Sequence, residues 1–214
     1  MKKNTNVDII DVAIKAGVSP ATVSRSFNHP NKVLKSTQKR IEKAILQTGY
    51  IRNRAAQAIQ GKRSGTVGLI VPTLDNAIFS NLIQAFSVEI RQHGFTMLVA
   101  TNGYDLDDEY TLLRSLLEHR VEGVALIGHD HSKETYNLLN IRNVPVVSMW
   151  NYKEDSLISC VGGENKEAGI EIAKHISSLG HTKIAMAFPN VEDNDRARDR
   201  KIGVVEYLNS QGIT

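Results

Sequence analysis

The sequence of 214 residues has only one cysteine, Cys160, and lacks the short motifs of the common enzyme classes. A single thiol excludes an internal disulfide framework and a zinc site built from several cysteines, and it fits a reducing compartment. The chain has no G-x-S-x-G, P-loop or G-x-G-x-x-G motif, so hydrolases, NTPases and dinucleotide-dependent enzymes have no support. His129 and His131 lack a third ligand at a fixed spacing. We therefore expect no catalytic residue, no cofactor and no metal site.

Long apolar runs are also missing. Residues 1–6 are basic, but an amphipathic helix pattern follows them where a secretory signal would carry an apolar segment. The composition, 41% hydrophobic and 23% charged, is ordinary for a soluble globular protein. We expect a cytoplasmic protein without membrane contact.

Charge is distributed unevenly along the chain. Residues 1–63 contain 13 Lys or Arg and 3 Asp or Glu, whereas residues 64–214 contain 13 and 20. The first segment therefore has a net charge of +10 and the remainder a net charge of −7. A basic segment followed by an acidic body is expected when one module meets a polyphosphate and the other does not. This pattern makes DNA the expected partner of the first segment.

Two short helices joined by a tight turn are predicted near the start of the chain. Asp8 can cap the first helix with Asp11 at its third position, and apolar residues recur at i, i+3, i+4 and i+7. Gly17 can end this helix in the left-handed conformation. Ser19 as N-cap and Pro20 as first helical residue begin the second helix. With a third helix at about 37–48, residues 1–50 are predicted to form a helix-turn-helix headpiece.

The second helix presents side chains suited to DNA on the side opposite Val23 and Phe27. Arg25 can reach the O6 and N7 acceptors of guanine, although a surface salt bridge is the alternative. The hydroxyls of Thr22 and Ser24 suit phosphate oxygens. The candidate DNA contacts of the headpiece are Ser19, Pro20, Ala21, Thr22, Ser24, Arg25, Asn28 and Tyr50.

This part of the chain resembles the LacI/GalR family of transcriptional regulators. The resemblance is carried by DVA-x-x-AGVS-PATVSR at 11–25 and by GY-x-x-N-x-x-A at 49–56. It implies that helix 20–27 lies in the major groove and that the hinge helices of two subunits insert apolar side chains into the minor groove. By position, the hinge residues are Asn53, Ala56 and Ile59, within a hinge helix and linker at 51–65. So short a helix is expected to form only on DNA or against a partner.

Three positions of the headpiece and hinge depart from the family pattern. Ile59 stands where the family most often has leucine, and a β-branched wedge can still kink the duplex. Arg52 stands where the family usually has proline, and it adds a positive charge that can bind phosphate. Leu34 replaces the usual serine, which leaves the third helix less well capped unless Ser36 takes over that role.

Apolar runs alternate with amphipathic helix patterns beyond residue 65. The predicted strands are 67–71, 95–100, 124–127, 145–149 and 183–188, and the predicted helices are near 76–93, 107–119, 133–141, 165–179 and 197–210. Such alternation is typical of βαβ units around a buried parallel sheet. The predicted fold class is therefore α/β, with the all-α headpiece followed by a doubly wound body at 66–214. Its first lobe covers about 66–162, and its second lobe starts at about 163.

The body also resembles periplasmic sugar-binding proteins, whose cleft closes on a small polar ligand. Ligands of such folds sit outside the carboxyl ends of the strands. The resemblance matches Asn76 and Phe79 to the family's N-P-F-F stretch, and Arg200 to an arginine that grips hydroxyl or acidic groups. Trp150 offers an aromatic face to a sugar. Ordinary packing of Trp150 and a surface charge for Arg200 are the alternatives. The candidate effector residues are Asn76, Phe79, Asn102, His129, Trp150, Asn151 and Arg200.

Together these features predict a homodimeric regulator, most often a repressor in this family, that binds a near-palindromic operator. A small polar effector, a sugar or sugar acid, is expected to control it. A solute-binding protein with the same body and a DNA binder without effector control are the alternatives. Because family members usually continue well beyond residue 214, we expect the chain to be a fragment of a longer product, with its α/β body incomplete.

Overall fold

The computed structural model describes residues 7–52 and 63–213. The chain divides into two compact units, Met1–Ala56 and Gln57–Thr214. Among the described residues, we find no helix with the length and apolar composition of a membrane span.

The first unit is a helical helix-turn-helix headpiece. It contains α1 (Ile9–Ala16), α2 (Pro20–Asn28), a 3₁₀ turn (Pro30–Lys32) and α3 (Lys35–Thr48). The three helices bury one small cluster, formed by Val12, Ala13, Ala16, Val23, Ile41 and Ala44, with Phe27 and Ile45 packed against it.

The predicted helix ends in the headpiece are confirmed. The carboxylate of Asp8 accepts hydrogen bonds from the N–H groups of Ile10 and Asp11, and the Asp11 carboxylate accepts from the Asp8 N–H at 2.9 Å. Gly17 adopts the left-handed conformation with φ of 64°. The Ser19 hydroxyl accepts from the N–H of Thr22 at 3.2 Å, which begins α2.

The third helix begins two residues earlier than predicted, at Lys35. Its N-cap is Leu34, and no side-chain hydrogen bond caps this end in the described structure. Ser36 therefore does not replace the missing cap, as the interpretation of Leu34 allowed.

The second unit is an α/β body built around one parallel sheet. In chain order its elements are β1 (Thr66–Val71), α4 (Ala77–Gln92), β2 (Thr96–Thr101), α5 (Leu106–Glu118), β3 (Val124–Ile127), α6 (Lys133–Arg142), β4 (Val146–Asn151), β5 (Ser159–Gly163), α7 (Asn165–Ser178) and α8 (Asp195–Ser210). The strand order is β2-β1-β3-β4-β5, and all paired strands are parallel.

Helices cover both faces of this sheet, which makes the body doubly wound. On one face Leu69 and Val71 pack with Phe79 and other apolar residues of α4. On the other face Ile70 packs with residues of α5 and α6, among them Leu113 and Leu139. Neighbouring residues of β1 thus point to opposite cores, as strand geometry requires.

The structure differs from the predicted elements at two places. The segment 183–188 is not a strand. Its apolar side chains Ile184 and Phe188 instead pack against a cluster of Ala173, Val204 and Leu208 between α7 and α8. No strand among the described residues pairs with this segment, and an isolated strand would leave its backbone groups unsatisfied. Conversely, β5 was not predicted, because its sequence SCVGG lacks a β-branched run and depends on pairing with β4.

Candidate nucleic-acid interface and ligand cavity

The face of α2 opposite the headpiece core carries the candidate DNA contacts. Pro20, Ala21 and Arg25 are exposed, whereas Thr22 and Ser24 are half-buried. This arrangement follows from Val23 and Phe27, which lie one turn apart and turn inward. Within the described headpiece residues, Pro20, Ala21 and Arg25 thus form the exposed side of α2.

The headpiece carries an excess of positive charge on its exposed surface. The headpiece residues that the structure describes, 7–52, contain eight Lys or Arg and three Asp or Glu. Within that part of the chain the Arg25 guanidinium makes no ion pair. The salt-bridge alternative for Arg25 thus gains no support. Exposed basic side chains also lie on α1, the 3₁₀ turn and α3, at Lys15, Lys32, Lys35, Lys39, Arg40 and Lys43.

Three other candidate DNA residues make contacts inside the headpiece. Ser19 caps α2 and also hydrogen-bonds the Thr22 hydroxyl at 2.9 Å. The side-chain oxygen Oδ1 of Asn28 accepts a hydrogen bond from the Arg52 guanidinium. The Tyr50 ring lies 6.3 Å from the ring of Phe27, centroid to centroid, and packs against the core.

Arg52 itself folds back on the headpiece. In addition to its bond with Asn28, its guanidinium carbon lies 5.2 Å from the centroid of the Phe27 ring. The charge that the sequence suggested for phosphate binding is therefore engaged within the unit. The predicted hinge residues Asn53, Ala56 and Ile59 lie outside the described residues.

The second unit contains an open cavity of about 1000 Å³. Its wall combines the start of α4, the segment between β2 and α5, the end of β4 and the region around the start of α8. The lining residues are Asn76, Ile78, Phe79, Gly103, Tyr104, Asp105, Leu106, Asp107, Trp150, Pro189, Asn190, Asp193, Asn194, Arg196 and Arg200. A cavity of this size, with aromatic and polar groups together, suits a small polar ligand.

Four of the seven predicted effector residues line this cavity: Asn76, Phe79, Trp150 and Arg200. Asn76 is the N-cap of α4 and accepts from the Ile78 N–H at 3.0 Å. The rings of Phe79 and Trp150 meet edge to face, with centroids 5.1 Å apart.

Trp150 has an unusual backbone conformation. Its φ is 80°, in the left-handed region that bulky residues rarely adopt. Such strain is concentrated at functional positions, where neighbouring contacts hold it.

The other three predicted residues lie at strand ends outside the lining, bound to the protein itself. Asn102 is buried, and its amide donates to the Asp105 carbonyl at 3.0 Å. The ring of His129 hydrogen-bonds the carbonyl of Asn151 at 2.8 Å. The Asn151 side chain, 1% exposed, donates to Asp195 and Asp199 at 2.9 Å each. Each of these three side chains already makes at least one hydrogen bond within the protein.

Asp195 joins two of those residues, His129 and Asn151, at the ends of β3 and β4. Its buried carboxylate accepts from the His129 N–H at 2.8 Å and from Asn151, and it pairs with Arg196 at 2.6 Å. Burial by itself would raise the pKa of Asp195. The Asn151 hydrogen bond, the charge of Arg196 and the N–H of His129 outweigh burial and hold that pKa below its usual value.

Sequence reasoning missed several polar lining residues. They are Tyr104, Asp105, Asp107, Asn190, Asp193, Asn194 and Arg196. A usable signal existed for two of them, since Asp105 and Asn194 are the N-caps of α5 and α8. N-caps of helices in an α/β body lie close to the strand ends, which is where the ligand is expected.

The sequence profile described as bacterial regulatory proteins, lacI family, matches residues 8–53. The profile described as periplasmic binding proteins and sugar binding domain of LacI family matches residues 64–214. These matches cover the headpiece and the body. The chain belongs to the LacI family.

Individual relatives agree with this assignment. The HTH-type transcriptional regulator GntR of Escherichia coli K12 is 31% identical over 185 residues, which are 86% of this chain and 56% of that protein. The chain thus spans little more than half the length of this curated relative.

Among solved structures, a LacI-family transcriptional regulator from Silicibacter pomeroyi is similar with a TM-score of 0.85 and 28% identity, covering 97% of this chain and 62% of that one. The Lac repressor dimer bound to operator and the anti-inducer ONPF is similar with a TM-score of 0.81 and 27% identity, covering 98% of this chain and 64% of that one.

Proposed function

We propose that this chain is the DNA-binding and effector-binding part of a transcriptional regulator. The observation that carries the proposal is that one chain combines two features. One is an exposed α2 face whose Arg25 makes no ion pair among the described residues, and the other is a polar and aromatic cavity of about 1000 Å³. The proposed organisation is a headpiece at 1–50, a hinge and linker at 51–65, and a body at 66–214 with lobes divided near 162.

Sequence-specific binding is assigned to the α2 face. Arg25 would contact guanine in the major groove, while Pro20 and Ala21 permit close docking. The hydroxyls of Thr22 and Ser24 and the exposed lysines of the headpiece would contact phosphates. A dimer is proposed because the similar Lac repressor structure is described as a dimer bound to operator. Two headpieces would then read two half-sites of a near-palindromic operator, and repression is the expected outcome.

The effector is proposed to be a sugar or sugar acid. Phe79 and Trp150 offer apolar ring surface to the C–H face of a sugar, and Asn76 and Arg200 offer polar groups for its hydroxyls. The match to a profile that includes the sugar binding domain of LacI family supports the same class. Effector binding would change the separation of the hinge segments and so lower or raise operator affinity. Such coupling is reciprocal, so operator binding must change effector affinity by the same factor.

The proposed DNA binding is tested with duplexes that this protein selects from a random library. Titration of the selected duplex compares the parent with Arg25→Ala and with Arg91→Ala, an exposed arginine in the last turn of α4. We expect Arg25→Ala to lose roughly 5- to 150-fold in affinity, which corresponds to about 1–3 kcal/mol for one base contact, and Arg91→Ala to bind like the parent. Equal affinity of all three proteins would refute the assignment of α2.

The proposed effector binding is tested by thermal-shift screening against sugars, sugar acids and purines. A compound that raises Tm should also change the affinity for the selected duplex. Trp150→Ala should remove both effects, because it deletes the larger of the two rings, Phe79 and Trp150, that form the aromatic wall of the cavity. A compound that raises Tm equally in the parent and in this variant binds elsewhere, which contradicts the proposed effector site.

A further inference from the structure

The side chain of Asn165 connects two residues of the cavity that come from different parts of the body. Asn165 is the first residue of α7 and is 8% exposed, and it does not itself line the cavity. Its amide nitrogen donates to the backbone carbonyl of Trp150 at 3.0 Å. Its carbonyl oxygen accepts a hydrogen bond from the guanidinium of Arg200. The Asn165 carboxamide therefore contacts the backbone of Trp150, whose ring forms part of the aromatic wall of the cavity. It also contacts the positively charged guanidinium of Arg200.

The contact with Arg200 is fixed by the close packing of α7 on α8. Gly169, one turn after Asn165, leaves no room for a side chain, because a Cβ there would lie 2.2 Å from the Arg200 carbonyl oxygen. Gly203 likewise faces α7, and a Cβ at that position would lie 2.0 Å from the Lys166 carbonyl oxygen. The two glycines bring the helix backbones together at the level of Asn165 and Arg200.

The contact with Trp150 acts on a strained residue. The left-handed backbone of Trp150 persists only where its surroundings hold it. The amide of Asn165 supplies one such restraint at the Trp150 carbonyl. It also donates to the side-chain oxygen of Asn151 at 2.9 Å, the residue that follows in β4.

We propose that Asn165 is a positioning residue of the effector cavity, which holds the Trp150 backbone and the Arg200 guanidinium in one hydrogen-bonded unit. A displacement of Arg200 by a ligand would then be transmitted to the aromatic wall through Asn165. This role rests on the proposed function, since the cavity is an effector site only under that proposal.

The experiment uses the fluorescence of the chain, because Trp150 is its single tryptophan. Asn165→Asp keeps an oxygen for Arg200 but removes both N–H donors, so the Trp150 carbonyl loses its partner. We expect a red shift of the emission maximum and a higher acrylamide quenching constant, since a released indole meets more water. The matched control is Asn140→Asp, at an exposed position of α6, which should behave like the parent. Parental emission and quenching in a folded Asn165→Asp protein would overturn the proposal.

Coupling is measured by a double-mutant cycle on the same signal. Arg200→Ala should change the quenching constant in the parent, and this change should disappear when Asn165→Ala is already present. The control on α8 is Lys201→Ala, an exposed neighbour of Arg200, with no change expected in either background. An effect of Arg200→Ala that is the same in both backgrounds contradicts coupling of Arg200 to Trp150 through Asn165. If the Asn165 variants do not fold, parental quenching in Arg200→Ala alone is sufficient to overturn it.

These measurements use acrylamide and need no effector, so they fail separately from the proposed function. If no sugar raises Tm but the cycle shows coupling, Asn165 positions the two residues and the effector class is wrong. For a sugar that does raise the Tm of the parent, Asn165→Asp should weaken its binding while Asn140→Asp does not. Equal affinity in both variants would contradict the role of Asn165 in the cavity.

Discussion

The carboxylate of Asp195 accepts a hydrogen bond from the backbone N–H of His129 at 2.8 Å, which ties the first turn of α8 to the end of β3. The same carboxylate binds Asn151 at the end of β4 and pairs with Arg196. A buried charge is stable only when it is paired and hydrogen-bonded, and Asp195 meets both conditions. The polar groups of His129 and Asn151 at these strand ends thus have hydrogen-bond partners within the protein. The cavity is lined by residues around them.

Replacing Asp195 by alanine should strongly destabilise the body. The change leaves Arg196 without its partner and two donors unsatisfied, and breaking a buried pair costs about 3–5 kcal/mol. Urea unfolding at neutral pH measures the loss. Asp155→Ala is the matched control, because Asp155 is an exposed aspartate of the same unit, and its free energy of unfolding should stay close to the parental value.

The contribution of Asp195 should also depend on pH. Its pKa in the folded protein lies below the usual value, so the unfolded chain takes up the proton first as pH falls. The stabilisation is therefore fully present above the ordinary aspartate pKa of about 3.9 and is lost below it. The gap in unfolding free energy between parent and Asp195→Ala should shrink between pH 6 and pH 3. A gap that stays constant over this range would show that the charge of Asp195 does not contribute.

Substitution of Gly203 by alanine should separate α7 from α8. The added methyl group would lie 2.0 Å from a backbone oxygen of α7, which cannot move aside as a side chain would. Overpacking of this kind costs typically about 1–3 kcal/mol. Urea unfolding should show this loss, whereas Gly163→Ala, with no atom within 4 Å of the added Cβ, should unfold near the parental midpoint. The prediction fails if both variants have the same stability.

The sequence predicted the headpiece better than the cavity for a physical reason. Helix starts and stops there depend on local contacts, such as the Asp8 and Asp11 carboxylates and the left-handed Gly17, which follow from residue spacing alone. Four strands of the body were likewise predicted from their apolar runs. In contrast, β5 exists through its pairing with β4, and 183–188 is not a strand because nothing described pairs with it.

Which polar side chains line the cavity depends on which of them already have hydrogen-bond partners within the protein. These partners are distant in the sequence, so no local sequence pattern reveals them. His129 and Asn151 follow strands, as ligand contacts in such folds do, yet Asp195 engages both from more than 40 residues away in sequence. Asp195 and Asn165 have no local pattern that marks their roles. Those roles arise only when α7 and α8 are packed beside the strand ends.

Removal of the first helix cap should loosen the headpiece locally. Asp8→Ala deletes the oxygen that accepts the Ile10 and Asp11 N–H groups, at 2.7 and 3.0 Å. Loss of such a cap costs typically about 1 kcal/mol. Hydrogen exchange of the α1 amides should therefore be roughly five times faster, since about 1 kcal/mol is close to that factor at 25 °C. Glu42→Ala, an exposed acidic residue of α3, is the control, and equally fast exchange in both variants would count against the cap.

Operator binding should depend steeply on salt, because the basic surface of the headpiece would release counterions from the duplex. With roughly 6–10 phosphate contacts, affinity for the selected duplex should fall by about 10³–10⁵ between 50 and 200 mM salt. Replacing one lysine that contacts phosphate should reduce the slope of log K against log salt by about one. Lys39→Ala, at an exposed position of α3, and Lys133→Ala, exposed at the start of α6 in the body, form a matched pair. A reduced slope for Lys39→Ala alone supports a headpiece contact. A flat salt response of the parent would exclude electrostatic binding of DNA by this surface, whatever the variants do.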